Sequence, residues 1–335
     1  MNKSKKVLLI GAVAAIIVIF AIALTSSPKQ TTRILMPTTT EINKDNATKP
    51  IIKDNNIFYI LNKSSLISTN TESKRSRTLY KTDGEILDFY LSPEADKAVL
   101  AVQLQDEPHN YLVEFALGKT TEIEQCLAEA LAWRDQENIL ANCVIQTSDY
   151  DPNVTNNLVS TDQFGKNQNE IINFEFDPPK KLFIDSDKSL TLLTATSGYK
   201  TNDLYAIDTA SKQLAKLTEN GFITDATRIE SNLYLALASR ATTDNEILLV
   251  NKADKTTAII SHLASLDQIS AHSGNFASLL ITDGKYSVNI SNLGSPDKII
   301  KSYSLEEFAV INKIIYTGNS IIIFTPNGID QLTYI

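Results

Sequence analysis

A pattern of apolar strand, polar turn and second short strand recurs seven times along this chain of 335 residues. The clearest copy is residues 204–218, LYAIDTASKQLAKLT, and related units begin at Ser65, Tyr111, Asn157, Ile247, Tyr286 and Gly328. Successive copies start 39 to 47 residues apart. A constant period in that range, filled with β-type residues, predicts an all-β propeller in which each repeat forms one four-stranded blade. About seven blades are expected, or six if the first and weakest copy is irregular.

Residues 84–124 show how one repeat divides into strands. Ile86 to Leu91 reads as the innermost strand and residues 92–97, SPEADK, as the turn, with Pro after Ser and acids that bond locally to the backbone. Ala98 to Val102 is apolar on both faces, as a sheet packed between two neighbours requires. Tyr111 to Leu117 and Thr120 to Glu124 complete the blade. Inner pairs recur at 131–144, 182–195, 227–239, 269–281 and 314–324, and Ile57 to Leu61 precedes the Ser65 copy. Only 11 glycines occur, so Asn, Asp, Ser and Lys must carry most turns. The seventh copy has no outer strand of its own, and an open ring would expose a long strand edge. An N-terminal strand can complete it, and Ile34 to Met36 is the candidate.

Val7 to Leu24 is an 18-residue run without a charged or strongly polar side chain. As a helix it would cover roughly 27 Å, about the thickness of a bilayer core. Lys3, Lys5 and Lys6 precede it, so the positive-inside rule keeps residues 1–6 cytoplasmic and exports the body. The competing reading is a signal peptide cleaved near Ala23. Residues 25–49 have the composition of a linker, with a short strand-like interruption, and residues 50–335 form the propeller. Either reading of the apolar run places the propeller outside the cytoplasm, in the first case on a single-pass membrane anchor.

Three of the 31 basic residues precede the apolar run, leaving 28 against 39 acidic residues, a net charge of −11, for the rest. Such a body repels nucleic acid, which is bound through clusters of Lys and Arg. The sequence has no Gly-x-Ser-x-Gly elbow, His-Glu-x-x-His, Walker loop or dinucleotide fingerprint. Its three histidines, His109, His262 and His272, fall at different offsets within the repeat, which argues against a shared metal site. The acidic loops 149–151 and 185–187 are too short for a calcium loop and read as turns. No catalytic residue, cofactor or metal is therefore expected.

Cys126 and Cys143 are the only cysteines. An even count in an exported chain is compatible with a disulfide closing one blade, the alternative being two buried thiols. Trp133 reads as a core or blade-interface residue. The largest insertion in the repeat is the loop 146–157, and with 105–110 and 197–202 it is the expected binding surface. His109, Tyr150, Asp151 and Tyr199 are its candidate contact residues.

Residues 88–93, DFYLSP, followed after four residues by residues 98–101, AVLA, resemble the "FSPDG…IAF" stretch of TolB-like propellers and their relatives with WD-type repeats. Residues 204–218 resemble that family's "LYLIDLATGKVRQLT". The chain departs from the pattern at the turns, where Glu94-Ala95-Asp96 replaces Pro-Asp-Gly, and it lacks the Tol amino-terminal domain. The resemblance implies the propeller fold over most of residues 50–335. It further implies a protein-binding platform, since such propellers mostly serve that role and some accompany hydrolase domains. The expected function is a non-catalytic binding or scaffolding module of the cell envelope, with an envelope protein as partner. A carbohydrate-binding or hydrolytic propeller with its site at the central channel mouth is the alternative.

Overall fold

A strand turns successive side chains to opposite faces, so a strand apolar at every position needs a packing partner on each side. That requirement organises the ring. The computed structural model describes residues 34–35, 38–43, 47–123, 131–146, 154–174, 181–185, 190–195, 202–208, 211–218, 222–239, 245–263 and 266–333. Among them the chain forms seven sheets, within the compact unit Leu35–Ile335. Blade 1 spans residues 47–81, blade 2 85–123, blade 3 131–174, blade 4 181–216, blade 5 223–263 and blade 6 266–304. Blade 7 combines residues 313–333 with 38–43. From the channel outward the strands of each blade follow chain order, except that blades 6 and 7 add an N-terminal strand at the outer edge, and consecutive strands within a blade pair antiparallel. The first residues of all seven sequence copies lie in the third strands of the seven blades.

The core is divided among seven apolar clusters, one at each junction between blades. In the second strand of blade 2, Lys97–Leu104, Ala98, Leu100 and Val102 pack towards blade 1 while Val99 packs towards blade 3. In the second strand of blade 5, Leu233–Ala238, Tyr234 and Ala236 face blade 4 while Leu235 and Leu237 face blade 6. Trp133 sits at the junction of blades 2 and 3, where its indole N–H donates to the Tyr90 carbonyl at 2.8 Å.

The turns explain how so few glycines suffice. Asp54, Asn62, Asp106, Asn167, Asn232, Ser273 and Asp283 all adopt positive φ in turn segments, as do Lys63, Lys212 and Lys255. Asn, Asp and Ser tolerate this region because their short side chains bond back to the local backbone.

Ring closure uses the N-terminal side of the chain, by a different segment from the one expected. Thr38–Asn43 is the outer strand of blade 7, pairing with Gly328–Thr333 from Thr38↔Thr333 to Asn43↔Ile329. The strand Ile34–Leu35 instead extends blade 6 to five strands, beside Ser295–Ser304. Pro37 lies between the two strands, and its ring leaves no backbone N–H for a ladder bond at that position. The inner strand of blade 1, Ala47–Lys53, likewise begins within the stretch that reads as linker. The apolar run Val7 to Leu24 lies outside the described residues, and no helix among the described residues is long and apolar enough to cross a membrane.

Candidate functional site

The first strands of the blades line the centre of the ring, where those of neighbouring blades touch. They are Ala47–Lys53, Glu85–Leu91, Leu131–Trp133, Lys181–Ile184, Ile223–Glu230, Leu266–His272 and Lys313–Tyr316. Because every pairing is antiparallel, the entries to these strands share one face of the ring with the turns that join second to third strands.

Four of the seven entries carry a register shift: between Thr48 and Ile51, Ile86 and Asp88, Ile223 and Asp225, and Leu266 and Gln268. Such a bulge re-aims the side chains beside it. In blades 2 and 5 the re-aimed residue is an aspartate in the same local geometry. Asp88 accepts from the Phe89 N–H at 2.9 Å, and Asp225 from the Ala226 N–H at 2.8 Å. Each also holds a lysine from the preceding blade: Lys49 reaches Asp88 at 2.9 Å, and Lys181 pairs with Asp225 while donating to the Ala226 carbonyl at 3.0 Å.

Blade 6 has Gln268 in this place. Its amide donates to the Asn312 carbonyl and accepts from the Ile314 N–H, both at 3.0 Å, gripping the backbone on either side of Lys313. Lys313 opens the inner strand of blade 7, and among the described residues no ion pair or hydrogen bond satisfies its ammonium. It is exposed to solvent, yet the channel wall surrounds it. Loss of hydration there pushes its ammonium below the usual lysine range, and the charges of Lys181 and Lys49 push the same way, against Asp225 and Asp88. All four residues thus lie close enough for their fields to act on Lys313, and the cluster of three lysines and two aspartates converges from blades 1, 2, 4, 5 and 7.

Exposed apolar residues stand beside these charges. Leu87 precedes Asp88, Phe222 precedes the inner strand of blade 5, and Val310 lies in the segment leading into blade 7; they are 40%, 46% and 48% exposed. Phe222 has φ of 99° and Lys49, before Pro50, has φ of 52°. Neither conformation suits its residue type, and strain of this kind persists only where surrounding structure imposes it. On the same face of blade 7, Glu41, Glu307 and Asp330 line a 320 Å³ pocket with Phe308 and Val310. Burial, then the charges of Glu41 and Glu307, raise the Asp330 carboxyl above the usual range.

Of the residues singled out in the sequence, His109 lies in the third strand of blade 2, two strands from the channel. Its Nδ1 is 2.7 Å from Glu122 Oε1, and its ring stacks on Tyr111. Tyr150, Asp151 and Tyr199 lie outside the described residues, as does Cys126. Cys143 sits in the second strand of blade 3 opposite Asn157. Asp185, which reads as a turn residue, is buried between blades 4 and 5, 2.7 Å from both Lys252 Nζ and the Tyr234 hydroxyl. Sequence reasoning missed the channel lysines and aspartates. One signal was present: Lys49 and Asp88 are 39 residues apart and Lys181 and Asp225 44, close to the repeat period.

No protein-family model matches this sequence, and no curated protein does. Solved structures do. A prolyl endopeptidase aligns over 84% of this chain and 47% of its own, with a TM-score of 0.62 at 13% identity. The WD40 repeats of RRP9 align over 90% of this chain and 99% of theirs, with a TM-score of 0.62 at 11% identity. The chain is a seven-bladed β-propeller. TolB from Acinetobacter baumannii is also among the similar structures, over 72% of this chain and 63% of its own, at TM-score 0.48 and 12% identity. The chain spans about half the length of the peptidases it matches. At these identities the likenesses establish the fold alone.

Proposed function

We propose that this protein is a non-catalytic protein-binding propeller of the cell envelope, held at the membrane by Val7 to Leu24, with its binding surface on the face where the inner strands begin. The observation that carries this reading is the combination on that face of exposed Leu87, Phe222 and Val310 with the charged channel mouth. Exposed apolar side chains rimmed by charge mark association surfaces.

The test combines fractionation with capture. The intact N-terminus should be found in the membrane fraction, and a defined envelope protein should co-purify from solubilised membranes. Phe222→Ser with Leu87→Ser should abolish that co-purification while leaving the melting temperature within about 2 °C, as expected for exposed positions. A product beginning near Leu24 in the soluble fraction would overturn the anchor, and capture unaffected by the double substitution would overturn the face.

A second reading has one observation in its favour: Asp88 and Asp225 reach a single channel mouth from blades 2 and 5, as the paired carboxylates of a hydrolytic or carbohydrate-binding site would. Both already hold a lysine and an amide N–H, which weighs against it. Turnover of a glycan substrate that disappears in Asp225→Asn would establish this reading instead.

A further inference from the structure

The lysine–aspartate arrangement at the channel mouth holds at two of the four bulges and leaves one lysine without its acid. Lys49 of blade 1 pairs with Asp88 of blade 2, and Lys181 of blade 4 pairs with Asp225 of blade 5. In each case a lysine meets the aspartate that the next blade re-aims with its bulge. Lys313 of blade 7 faces blade 1 as the next blade, and there the bulge between Thr48 and Ile51 carries Lys49 instead of an acid. Lys49 is itself committed to Asp88. Within this cluster of five the two pairs cancel, leaving the positive charge of Lys313.

Nothing about Lys313 suggests a structural task. Gln268 bonds the backbone on both sides of it, so the strand is held without its side chain. The residue is exposed while its ammonium loses part of its hydration to the channel wall, a cost that an arriving anion would offset. The apolar neighbours Leu87 and Phe222 would meet the flanks of such a ligand. A body of net negative charge does not attract acidic partners in general, so this recognition is local.

We infer that the channel mouth binds a peptide segment of the partner that presents a carboxylate next to apolar residues, supplied by Asp, Glu or the partner's own carboxyl terminus, and that Lys313 is the group that pairs with this carboxylate. The inference rests on the proposed binding face, and it names the chemistry that face selects.

Selection of random dodecapeptides displayed on phage, against the folded propeller, tests it. Peptides enriched by the wild type should carry one acidic residue beside apolar ones. A fluorescent synthetic copy of the leading peptide, measured by anisotropy, should bind Lys313→Met about tenfold more weakly, as loss of a partly desolvated ion pair implies. Replacing its acid by the amide should weaken binding to wild type equally and to Lys313→Met no further. Lys313→Arg should keep most of the affinity, and all variants should melt within about 2 °C of wild type. Failure to enrich acidic peptides, or additive losses in that cycle, would overturn the assignment. The binding face is judged separately: if Phe222→Ser with Leu87→Ser abolishes capture of the partner and Lys313→Met does not, the face stands and the carboxylate assignment falls.

Discussion

Blades 4 and 5 are joined by two lysine–aspartate pairs in opposite surroundings. Asp185 and Lys252 meet at 2.7 Å with side chains 0% and 10% exposed. The carboxylate also accepts the Tyr234 hydroxyl, the Tyr234 oxygen lies 2.9 Å from the Thr191 hydroxyl, and Lys252 reaches the Leu190 carbonyl. Lys181 and Asp225 meet at the channel mouth with side chains 43% and 35% exposed. The contacts are alike and the solvent is not. A buried pair is removed from water, and its members depend on one another to offset that cost. An exposed pair loses little hydration and gains little, so its presence calls for another explanation. The first pair fastens one blade to the next, and the second sets the charge pattern of a surface.

The largest effect expected from this contrast comes from Lys252→Met. It strands the Asp185 carboxylate in the blade junction, and loss of one partner of a buried pair typically costs about 3–5 kcal/mol. The melting temperature of the purified propeller should fall by roughly 10 °C. A fall below about 3 °C would show that the pair is hydrated, and the contrast would collapse.

Tyr234→Phe should cost less, about 1–3 kcal/mol in chemical denaturation, because one hydroxyl leaves and the Lys252 contact to Asp185 remains. This residue also gives the contrast a pH signature. Burial first, and then the neighbouring Asp185, raise the phenol above its ordinary value of 10.0. A raised folded-state value means that the folded protein holds the proton more tightly. Its contribution is therefore complete below pH 10 and is lost as pH rises beyond that through the folded value. Wild type should lose stability more steeply than Tyr234→Phe above pH 10, while the two curves run parallel between pH 7 and 9.

The ring-closing seam offers a smaller effect of opposite sign. Glu41 stands directly across from Asp330 where Thr38–Asn43 completes blade 7. Like charges so placed are destabilising by a fraction of a kcal/mol. Because the Asp330 value is raised, its favourable contribution is present below the unfolded value of 3.8 and is lost as pH rises through the folded one. Asp330→Asn should therefore raise the melting temperature at pH 7 by about 1–3 °C and change nothing at pH 3.5.

How much of this was legible in the chain follows the same division between ring and surface. The repeat gave blade number, and the doubly apolar run Ala98 to Val102 gave a strand packed between two neighbours, because burial leaves its mark on local composition. The need for an N-terminal closing strand was equally legible, although the segment was not: Thr38–Asn43 takes the place expected of Ile34 to Met36. The channel cluster was hidden for a different reason. Leu87 and Asp88 look like an ordinary strand until the bulge turns the acid towards Lys49, and a bulge depends on register between strands rather than on residue type. Asp185 was hidden by distance, since its partner Lys252 lies 67 residues away, about one and a half repeats.

Lys181→Met closes the series with the smallest change in stability and is for that reason the sharpest control. It removes from the exposed pair the same atoms that Lys252→Met removes from the buried one. Asp225 keeps its bond from the Ala226 N–H and gains access to water, so the loss should stay below about 1 kcal/mol in urea unfolding. Its consequence should be electrostatic instead. Without Lys181 the cluster of five loses one positive charge, and one of the two cations that depress the Lys313 ammonium is gone. The Lys313 amine, followed by NMR titration of its Nζ, should then titrate at higher pH than in wild type. An unchanged titration would place Lys181 outside the field of Lys313 and separate the two halves of the channel mouth.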